Sequence, residues 1–474
     1  MSGLILVASV LGLAFGVIYT LFKPRWAMLF ILVLYPLEQL LTTASSFFAT
    51  NSKVLNIIVG GLAVLGSLSA AFAGRKPFKG YFNPLLFFVL TLYLFGIVGI
   101  GFAPDSTPGF EALIKAIPYL GLLLFFPGLL MNTLEDFRRL IIPVMIVGSV
   151  IIVLILLSPQ TTMYGGRLGI KNTAGGSDGP ELLNPLATAG LGGTIVIFGM
   201  LYKPVKSVAF VNLVRAGAIT IGLIIALLSG SRGQLIGAVF CGVVMFPFAR
   251  QIKNMVQFIT VSASAGVGLV FVMLVLNFAT TRDAATRWSS GALTEGVGTR
   301  QQMIMTMMGE WISRPQAFLQ GLGTSSFEYY YTISDAPYVH NMPVQVLTEH
   351  GVIGLVMLTV IMIITYKMSR SLLTLYRDQP RELSTAAVLI AYCMYQFILS
   401  LKQGSWFASG APFWTFLILA KIHSRTMREM REYSALETYQ DYYDADDGSY
   451  GEDAYGEYDQ LDDQPDDGGA YASA

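Results

Sequence analysis

A histidine at the border of an apolar run is the residue of this sequence best suited to proton transfer. His340 and Asn341 stand directly before the run that begins "MPVQVL". Histidine is the side chain that exchanges a proton near neutral pH, so at this border His340 can act as a general base on a hydroxyl group. The alternative is an interfacial histidine that caps the following helix, and His340 taken alone favours that alternative.

Two arginines are candidates for binding an anion. Arg232, in "SGSRGQ", separates two apolar runs with almost no loop, and its Gly and Ser neighbours would let backbone N–H groups approach a phosphate. Arg300 follows Thr299, which is predicted to cap a helix ending near residue 313; a cation in the first turn is unfavourable unless an anion also binds there. Both arginines therefore suit an anionic ligand. The alternatives are a helix-end arginine reaching the interface and an ordinary surface arginine.

Weaker candidates accompany these three residues. Arg167, in "GGRLG", is a third arginine that could meet an anion, and Lys402 lies at a turn where it could line a cavity. Asp105 and Glu111 are candidate catalytic carboxylates. The sequence has no D-x-D pair, no H-E-x-x-H, no P-loop and no Cys/His cluster. It therefore indicates no metal, no cofactor and no nucleic acid partner.

The composition places these residues in a membrane protein. Hydrophobic residues make up 54% of the 474 residues and charged residues only 13%, against roughly 25% charged residues in soluble domains. A span needs about 20 apolar residues. We predict an all-α polytopic membrane protein with 12–13 transmembrane helices, from thirteen apolar segments at about 3–22, 26–44, 54–73, 83–102, 112–131, 140–158, 184–202, 213–229, 232–249, 256–278, 342–366, 384–401 and 405–422.

The short connections between these segments predict the orientation. Lys and Arg residues gather in alternate connections, and such residues mark the cytoplasmic side. Two hydrophilic loops, at about 159–183 and 279–341, then lie outside, on the same side as the candidate residues. The chain ends on the cytoplasmic side.

The end of the chain differs in composition from the rest. From Tyr433 onwards it holds 13 acidic residues, eight tyrosines and no Lys or Arg. High charge with few aliphatic residues predicts a disordered tail, residues 426–474. The tail is either a solvated segment or a contact for a tyrosine kinase or a chain-length regulator, and the solvated segment is favoured.

Three segments together form a recognisable pattern: "SGSRG" at 229–233, "TRQQMIMTMMGEWISRPQAFLQGLGTSSF" from Thr299, and "HNMPVQVLTEHGVIGL" from His340. In these segments the chain resembles the O-antigen ligase / O-antigen polymerase superfamily of bacterial envelope proteins. The resemblance covers the organisation of residues 1–425. The loop after Arg167 is longer than the family pattern, and the acidic tail is not part of it.

The resemblance implies a membrane glycosyltransferase of the bacterial inner membrane, with its large outer loop packed over a cavity. The implied donor is a glycan on undecaprenyl diphosphate, and the implied acceptor is a sugar hydroxyl on a glycan or on lipid A-core. His340 would be the base; Arg232, Arg300 and Arg167 would bind the diphosphate. Supporting roles are implied for Asn341, Gln345 and Glu349, beside Lys402.

Two other classes of function remain open at this point. A transporter, such as a flippase for lipid-linked sugars, would tend to show two similar halves with broken helices, and the sequence shows no such repeat. A sensor or scaffold acting through its tail would not need the outer arginines or His340. Within the enzyme class, a polysaccharide polymerase, a ligase and a protein glycosyltransferase remain open. The polymerase is slightly favoured, because a tyrosine-bearing tail suits a regulated polymer pathway.

Overall fold

The computed structural model of the chain describes residues 2–51, 53–164, 167–171, 182–183, 186–204, 208–251, 254–256, 259, 263, 266, 270, 290–331, 338–410 and 412–446. By its internal contacts the chain divides into two units, Met1–Thr426 and Met427–Ala474. All candidate residues belong to the first unit.

Helices dominate the described residues. In chain order they are α1 (Ser2–Phe22), α2 (Trp26–Ala44), α3 (Ser46–Thr50), α4 (Lys53–Phe72), α5 (Pro84–Gly99), α6 (Thr107–Leu120), α7 (Phe126–Leu130), α8 (Leu134–Leu156), α9 (Leu186–Leu201), α10 (Ala209–Leu228), α11 (Arg232–Arg250), α12 (Ser290–Ile312), α13 (Ala317–Gln320), α14 (Phe327–Tyr330), α15 (Met342–Leu375), α16 (Pro380–Ser400), α17 (Trp406–Ser409) and α18 (Phe413–Asp446). A 3₁₀ turn follows α5, and a π-helical turn joins α6 to α7.

The all-α membrane architecture predicted from composition is confirmed. Within the described part of the chain, nine helices are long and apolar enough to cross a membrane: α2, α4, α5 with its 3₁₀ turn, α6 continued through α7, α8, α10, α11, α15 and α16. Val10–Phe22 and Leu186–Leu201 are shorter apolar helices. The predicted segment 256–278 lies outside the described residues apart from isolated positions, and 405–422 is interrupted between α17 and α18.

Large apolar side chains on the outside of the helices agree with a lipid environment. Ile57, Phe72, Phe87 and Leu213 are each more than 60% exposed. A soluble monomer rarely exposes apolar patches larger than a few hundred Å². In a bilayer the same side chains face acyl chains and cost nothing.

Side-chain caps define where three of the helices begin. Asn83 accepts a hydrogen bond from the Leu86 N–H at 3.1 Å, and Thr133 accepts one from the Asp136 N–H at 3.1 Å. Asn341 accepts one from the Val344 N–H at 3.2 Å. Each bond satisfies one of the N–H groups that a helix leaves unpaired in its first turn.

Ion pairs gather several of the predicted cytoplasmic connections at one end of the first unit. Arg25 and Arg75 approach Asp136 at 4.0 and 3.7 Å. Glu135 contacts Arg138 and lies 3.9 Å from Arg381. These arginines come from four different basic connections, so those connections share one end of the helices, as the Lys/Arg pattern predicts. The cytoplasmic location of that end remains a prediction.

The segment after α8 contains a small antiparallel sheet that the composition did not indicate. Its strands are β1 (Thr161–Tyr164), β2 (Arg167–Lys171) and β3 (Leu182–Leu183), in the order β1-β2-β3. In the first pair, Tyr164 lies opposite Arg167. The two glycines between these strands are a hairpin signal, so the sequence did contain the information.

The last helix differs from the predicted disorder of residues 426–474. Helix α18 continues to Asp446, so residues 427–446 are helical. The physical reason is that half of the 20 residues from 427 to 446 are Arg, Met, Glu, Ala or Leu and none is Gly or Pro, a composition that favours helix. Residues 447–474 lie outside the described part.

Candidate functional site

The segment predicted to be the long outer loop has an apolar cluster of its own among its described residues. Helices α12, α13 and α14 enclose a separate apolar cluster formed by Met303, Met307, Trp311, Ala317, Leu322, Phe327, Tyr331 and Val339. The Trp311 indole N–H donates to the carbonyl oxygen of Ala317 at 2.9 Å. The described residues of the loop that precedes His340 therefore pack around a core of their own.

The loop residues Leu322 and Gly323 bond to α15 at a break in that helix. At Gly351 the backbone leaves the helical region, with φ 63° and ψ −164°, and the carbonyls of Thr348 and Glu349 become available. The Leu322 N–H donates to Thr348 O at 2.8 Å, and the Gly323 N–H donates to Glu349 O at 3.0 Å. The G-x-G motif of the outer loop, Gly321–Gly323, and the E-x-G motif of α15, Glu349–Gly351, are thus brought together by backbone hydrogen bonds.

Helix α5 is the third element of this contact. The Thr324 N–H donates to Gly99 O at 3.1 Å, and the Thr324 hydroxyl donates to Gly96 O at 2.5 Å. Gly96 and Gly99 are the last turn of α5. Because α5, the loop and α15 are bonded through backbone atoms, the loop is fixed relative to the start of α15, where His340 lies.

Glycine is required at the centre of this contact. A Cβ on Gly351 would lie 2.2 Å from the carbonyl oxygen of Leu319, with φ positive as well. We expect Gly351→Ala to destabilise the protein by about 3 kcal/mol or more, from strain and overpacking together. The measurement is thermal unfolding in detergent. Gly309→Ala is the control, since a Cβ there meets nothing within 4 Å, and an unchanged unfolding temperature for Gly351→Ala would contradict the expectation.

The cap of α15 is Asn341 rather than His340, so the capping alternative for the histidine is wrong. Asn341 bonds the Val344 N–H as described above. His340 has φ 55°, a left-handed conformation rare for a residue other than glycine. Its ring packs edge-on against Tyr338, with centroids 4.4 Å apart. Its Nδ1 is buried and makes no hydrogen bond within the described part of the chain.

Lys402 joins the turn that contains Arg232. Its Nζ donates to the hydroxyl of Ser231 at 2.8 Å. A Cβ on Gly233 would lie 2.4 Å from Cδ of Lys402, so the glycine of "SRG" makes room for the lysine side chain. Arg232 is the first residue of α11 and is half-buried. Arg232 and Lys402 therefore belong to one site.

The backbone of this turn is occupied by its own hydrogen bonds. The Gly230 N–H donates to Leu227 O at 3.0 Å, and the Arg232 N–H donates to Gly230 O at 3.2 Å. The Ser231 N–H donates to the Ser229 hydroxyl at 3.3 Å. These three N–H groups are satisfied within the turn, so an anion here would meet the side chains of Arg232 and Lys402 rather than those backbone groups.

A residue not predicted from the sequence anchors the turn. Gln234 is fully buried, and its amide nitrogen lies 2.6 Å from Leu186 O and 3.4 Å from Oε1 of Gln403. It links the start of α11 to the start of α9 and to the turn of Lys402. Its place two residues after Arg232 in "SGSRGQ" was the only signal available.

Arg300 does not lie in the first turn of its helix, so the capping role predicted for Thr299 is wrong. Helix α12 begins at Ser290, because Ala292, Leu293 and Glu295 are helix formers and helices extend cooperatively. The argument for an anion at that helix N-terminus is lost. Arg300 nevertheless remains exposed on the outer loop.

Electrostatics link Arg300 to both other candidates. Burial, and then the positive charge of Arg300, lower the pKa of His340 below its usual value. Burial and the same charge lower the pKa of Lys402 to about 8. Arg300 is therefore close enough to His340 and to Lys402 for its positive charge to oppose a positive charge on either of them. The structure brings positive charge to one place, where a bound anion would relieve the repulsion.

Gln345 and Glu349 hold the turn that follows α16. The Gln345 amide nitrogen donates to Oε1 of Glu349 at 3.0 Å and to the Ser405 hydroxyl at 3.2 Å. Its Oε1 accepts from the Trp406 N–H at 3.4 Å. Both side chains are buried, so these contacts position the segment that carries Lys402. Any direct role in chemistry stays a prediction.

The remaining candidates lie on other elements. Arg167 is the half-buried first residue of β2, and its contact with a diphosphate stays a prediction. Glu111 lies in α6, and Asp105 lies in the connection before that helix. The described residues include no group of three His, Cys, Asp or Glu side chains arranged to hold a metal ion.

Comparison with known proteins yields one family. A model described as O-antigen ligase matches residues 216–359, less than a third of the 474 residues. The matched segment contains Arg232, Arg300 and His340, whereas Arg167 and Lys402 lie outside it. No curated protein matches the chain.

Proposed function

We propose that this chain, whose residues 216–359 match the O-antigen ligase family model, is a membrane glycosyltransferase that transfers glycan from undecaprenyl diphosphate to an acceptor sugar hydroxyl. The reaction takes place at the outer face of the bacterial inner membrane. The observation that supports it most strongly is that Lys402 bonds Ser231 beside Arg232, while the charge of Arg300 acts on both Lys402 and His340.

His340 acts as the general base of the transfer. Because its pKa is lowered by burial and by Arg300, the imidazole is neutral at pH 7 and can accept a proton. The acceptor hydroxyl gives that proton to His340 as its oxygen attacks the anomeric carbon. The bond between this carbon and the diphosphate oxygen breaks, with inversion of configuration. A positioned base contributes roughly 10²–10⁴-fold.

The cations neutralise the leaving group. As the glycosidic bond breaks, negative charge grows on the diphosphate. Arg232 and Arg300 supply charge-assisted and bidentate hydrogen bonds to it, and Lys402 adds a third positive charge. Three cations take the place that a divalent metal has in other phosphate chemistry, so we propose a metal-independent enzyme. Arg167 is a further candidate for the same diphosphate.

A polysaccharide polymerase is the subclass that we propose, with an O-antigen ligase acting on lipid A-core as the second candidate. The acidic, tyrosine-bearing end of the chain suits a regulated polymer pathway, with a chain-length regulator or a tyrosine kinase as its partner. The competing class, a flippase for lipid-linked sugars, would not need a neutral histidine beside Arg300.

The test is made in cells that lack the protein. Wild type, His340→Ala, Arg232→Ala and Arg300→Ala are expressed in turn, and envelope glycan is separated on a gel. We expect each variant to lose polymer. Single repeats attached to lipid A-core identify a polymerase, whereas polymer accumulating on the lipid carrier identifies a ligase. Full-length polymer in all three variants would rule out the enzyme.

A further inference from the structure

A cavity lies beside His340, the proposed base. Its volume is about 550 Å³, within the roughly 300–1,000 Å³ of sites that take small organic ligands. Its walls are formed by α6 along most of its length, one residue of α2, the outer-loop segment around Ser325 and the turn before α17. The side chains that matter for its chemistry are Tyr35, Glu111, Lys115, Tyr119, Glu328 and Tyr338.

Two features connect this cavity to the cationic site, which is formed by Arg232, Arg300 and Lys402. Tyr338 lines the cavity, and its ring packs on the ring of His340 with centroids 4.4 Å apart. Ser405 also lines it, three residues after Lys402, which bonds Ser231. A molecule in the cavity is therefore close to His340. A diphosphate bound by Arg232, Arg300 and Lys402 would approach His340 from a different site.

The charges of the cavity are opposite to those of the cationic site. Glu111 and Glu328 are exposed in its wall. Burial, and then the negative charge of Glu111, raise the pKa of Glu328, while Lys115 opposes the shift. Lys115 is already paired with Glu111 at 3.1 Å. An anionic ligand would be repelled, whereas the two carboxylates accept hydrogen bonds from hydroxyl groups.

Aromatic rings supply the rest of the lining. Tyr35 and Tyr119 stack with centroids 6.0 Å apart and planes 26° from parallel, and Tyr338 lines the cavity near His340. The Tyr119 hydroxyl accepts a hydrogen bond from Asn56 at 2.9 Å, which fixes its ring. Rigid rings with a negative face attract the C–H edges of a pyranose, while its hydroxyls reach the carboxylates.

We propose that this cavity is the acceptor subsite and that it takes an uncharged pyranose and excludes a uronic acid. This proposal rests on the proposed function and adds the class of the acceptor sugar. The two substrates are then separated by charge: the anionic donor is bound among the cations, and the neutral acceptor is bound between the tyrosines and the two glutamates. The acceptor hydroxyl enters from the side of Tyr338, next to His340.

The test measures binding of simple glycosides to the detergent-solubilised full-length protein by saturation-transfer NMR. The probes are methyl glucoside, methyl N-acetylglucosaminide and methyl glucuronide, and inorganic pyrophosphate is measured separately. We expect the two neutral glycosides to bind wild type at millimolar concentration and the glucuronide to bind at least tenfold more weakly. In Glu111→Gln/Glu328→Gln, which keeps side-chain size, this preference should fall at least tenfold.

A second variant fills the cavity. Ala112 lines it, and Ala112→Phe should abolish glycoside binding while pyrophosphate still binds. Arg232→Ala is the matched counterpart, since it should weaken pyrophosphate binding and leave the glycosides unaffected. No glycoside binding to wild type, or binding unchanged in both cavity variants, would overturn the acceptor proposal. Pyrophosphate binding that is unchanged by Arg232→Ala would instead count against the proposed function, whatever the glycosides do.

Discussion

Replacing Arg232 and Arg300 together by glutamine is expected to lower the transfer rate by about 10³–10⁵-fold. Arginines that stabilise the charge of a departing phosphate contribute on that order, and each one alone should cost about 10²–10³-fold, as one lost oxyanion donor does. The two losses need not multiply, because both side chains act on one leaving group. The measurement uses proteoliposomes supplied with lipid-linked donor extracted from cells lacking the protein.

The control for this pair is another arginine of the same outer loop. Arg314 is bonded to Glu310 at 2.9 Å and lies 4.7 Å above the ring of Tyr330. An exposed ion pair of this kind contributes only about 0–1 kcal/mol. Arg314→Gln should therefore change the rate less than about tenfold. A comparable loss in Arg314→Gln would mean that the arginines of this loop act on its folding rather than on the donor.

Replacing His340 by glutamine is expected to lower the transfer rate by about 10²–10⁴-fold and to change its dependence on pH. In wild type, kcat/KM should fall below about pH 6.5, because protonation removes the acceptor on the imidazole. Since burial and Arg300 lower the pKa of His340, the midpoint should lie below that value. The variant should lose this acid limb.

Lys402 sets the alkaline limb of the same profile. Its pKa is lowered to about 8, so kcat/KM should fall above about pH 8 as the ammonium loses its proton and the donor loses a contact. The parameter kcat/KM reports the free enzyme, in which no diphosphate raises this pKa. Lys402→Arg should move the limb above pH 10, since arginine stays charged.

His423→Gln is the control for the histidine. This half-buried residue lies 3.0 Å from the Ser371 hydroxyl, in a different part of the first unit. Its replacement should leave both limbs in place. An acid limb that persists in His340→Gln would assign the titration to another group and leave His340 without its proposed role.

Composition and periodicity predicted the membrane architecture, because a span of about 20 apolar residues is visible in any single sequence. The Lys/Arg pattern predicted which connections share an end, and Asp136 and Glu135 join those arginines in the structure. The hairpin of β1 and β2 and the helical stretch up to Asp446 were missed. In both cases the local signal was present and the overall composition outweighed it.

The sequence predicted which residues are candidates for the site, but not which of them contact one another. His340 and Arg232 stood out because charge at the border of an apolar run is costly, whereas Arg300 stood out because a helix was expected to begin beside it. The bond between Lys402 and Ser231 joins residues 171 positions apart, and no single sequence encodes such a distance. The role of the glycines at 321, 323 and 351 was hidden for the same reason, since each needs space against a backbone that is distant in sequence or on another element.

The broken backbone at Gly351 has a consequence for the biogenesis of the protein. In hydrocarbon, an unsatisfied carbonyl costs several kcal/mol, so α15 cannot settle in the bilayer with the oxygens of Thr348 and Glu349 unpaired. Their partners, Leu322 and Gly323, come earlier in the chain and so leave the ribosome first. In the predicted topology, the outer loop must therefore cross the membrane before α15 is inserted. The outer loop is thus both synthesised and positioned before α15.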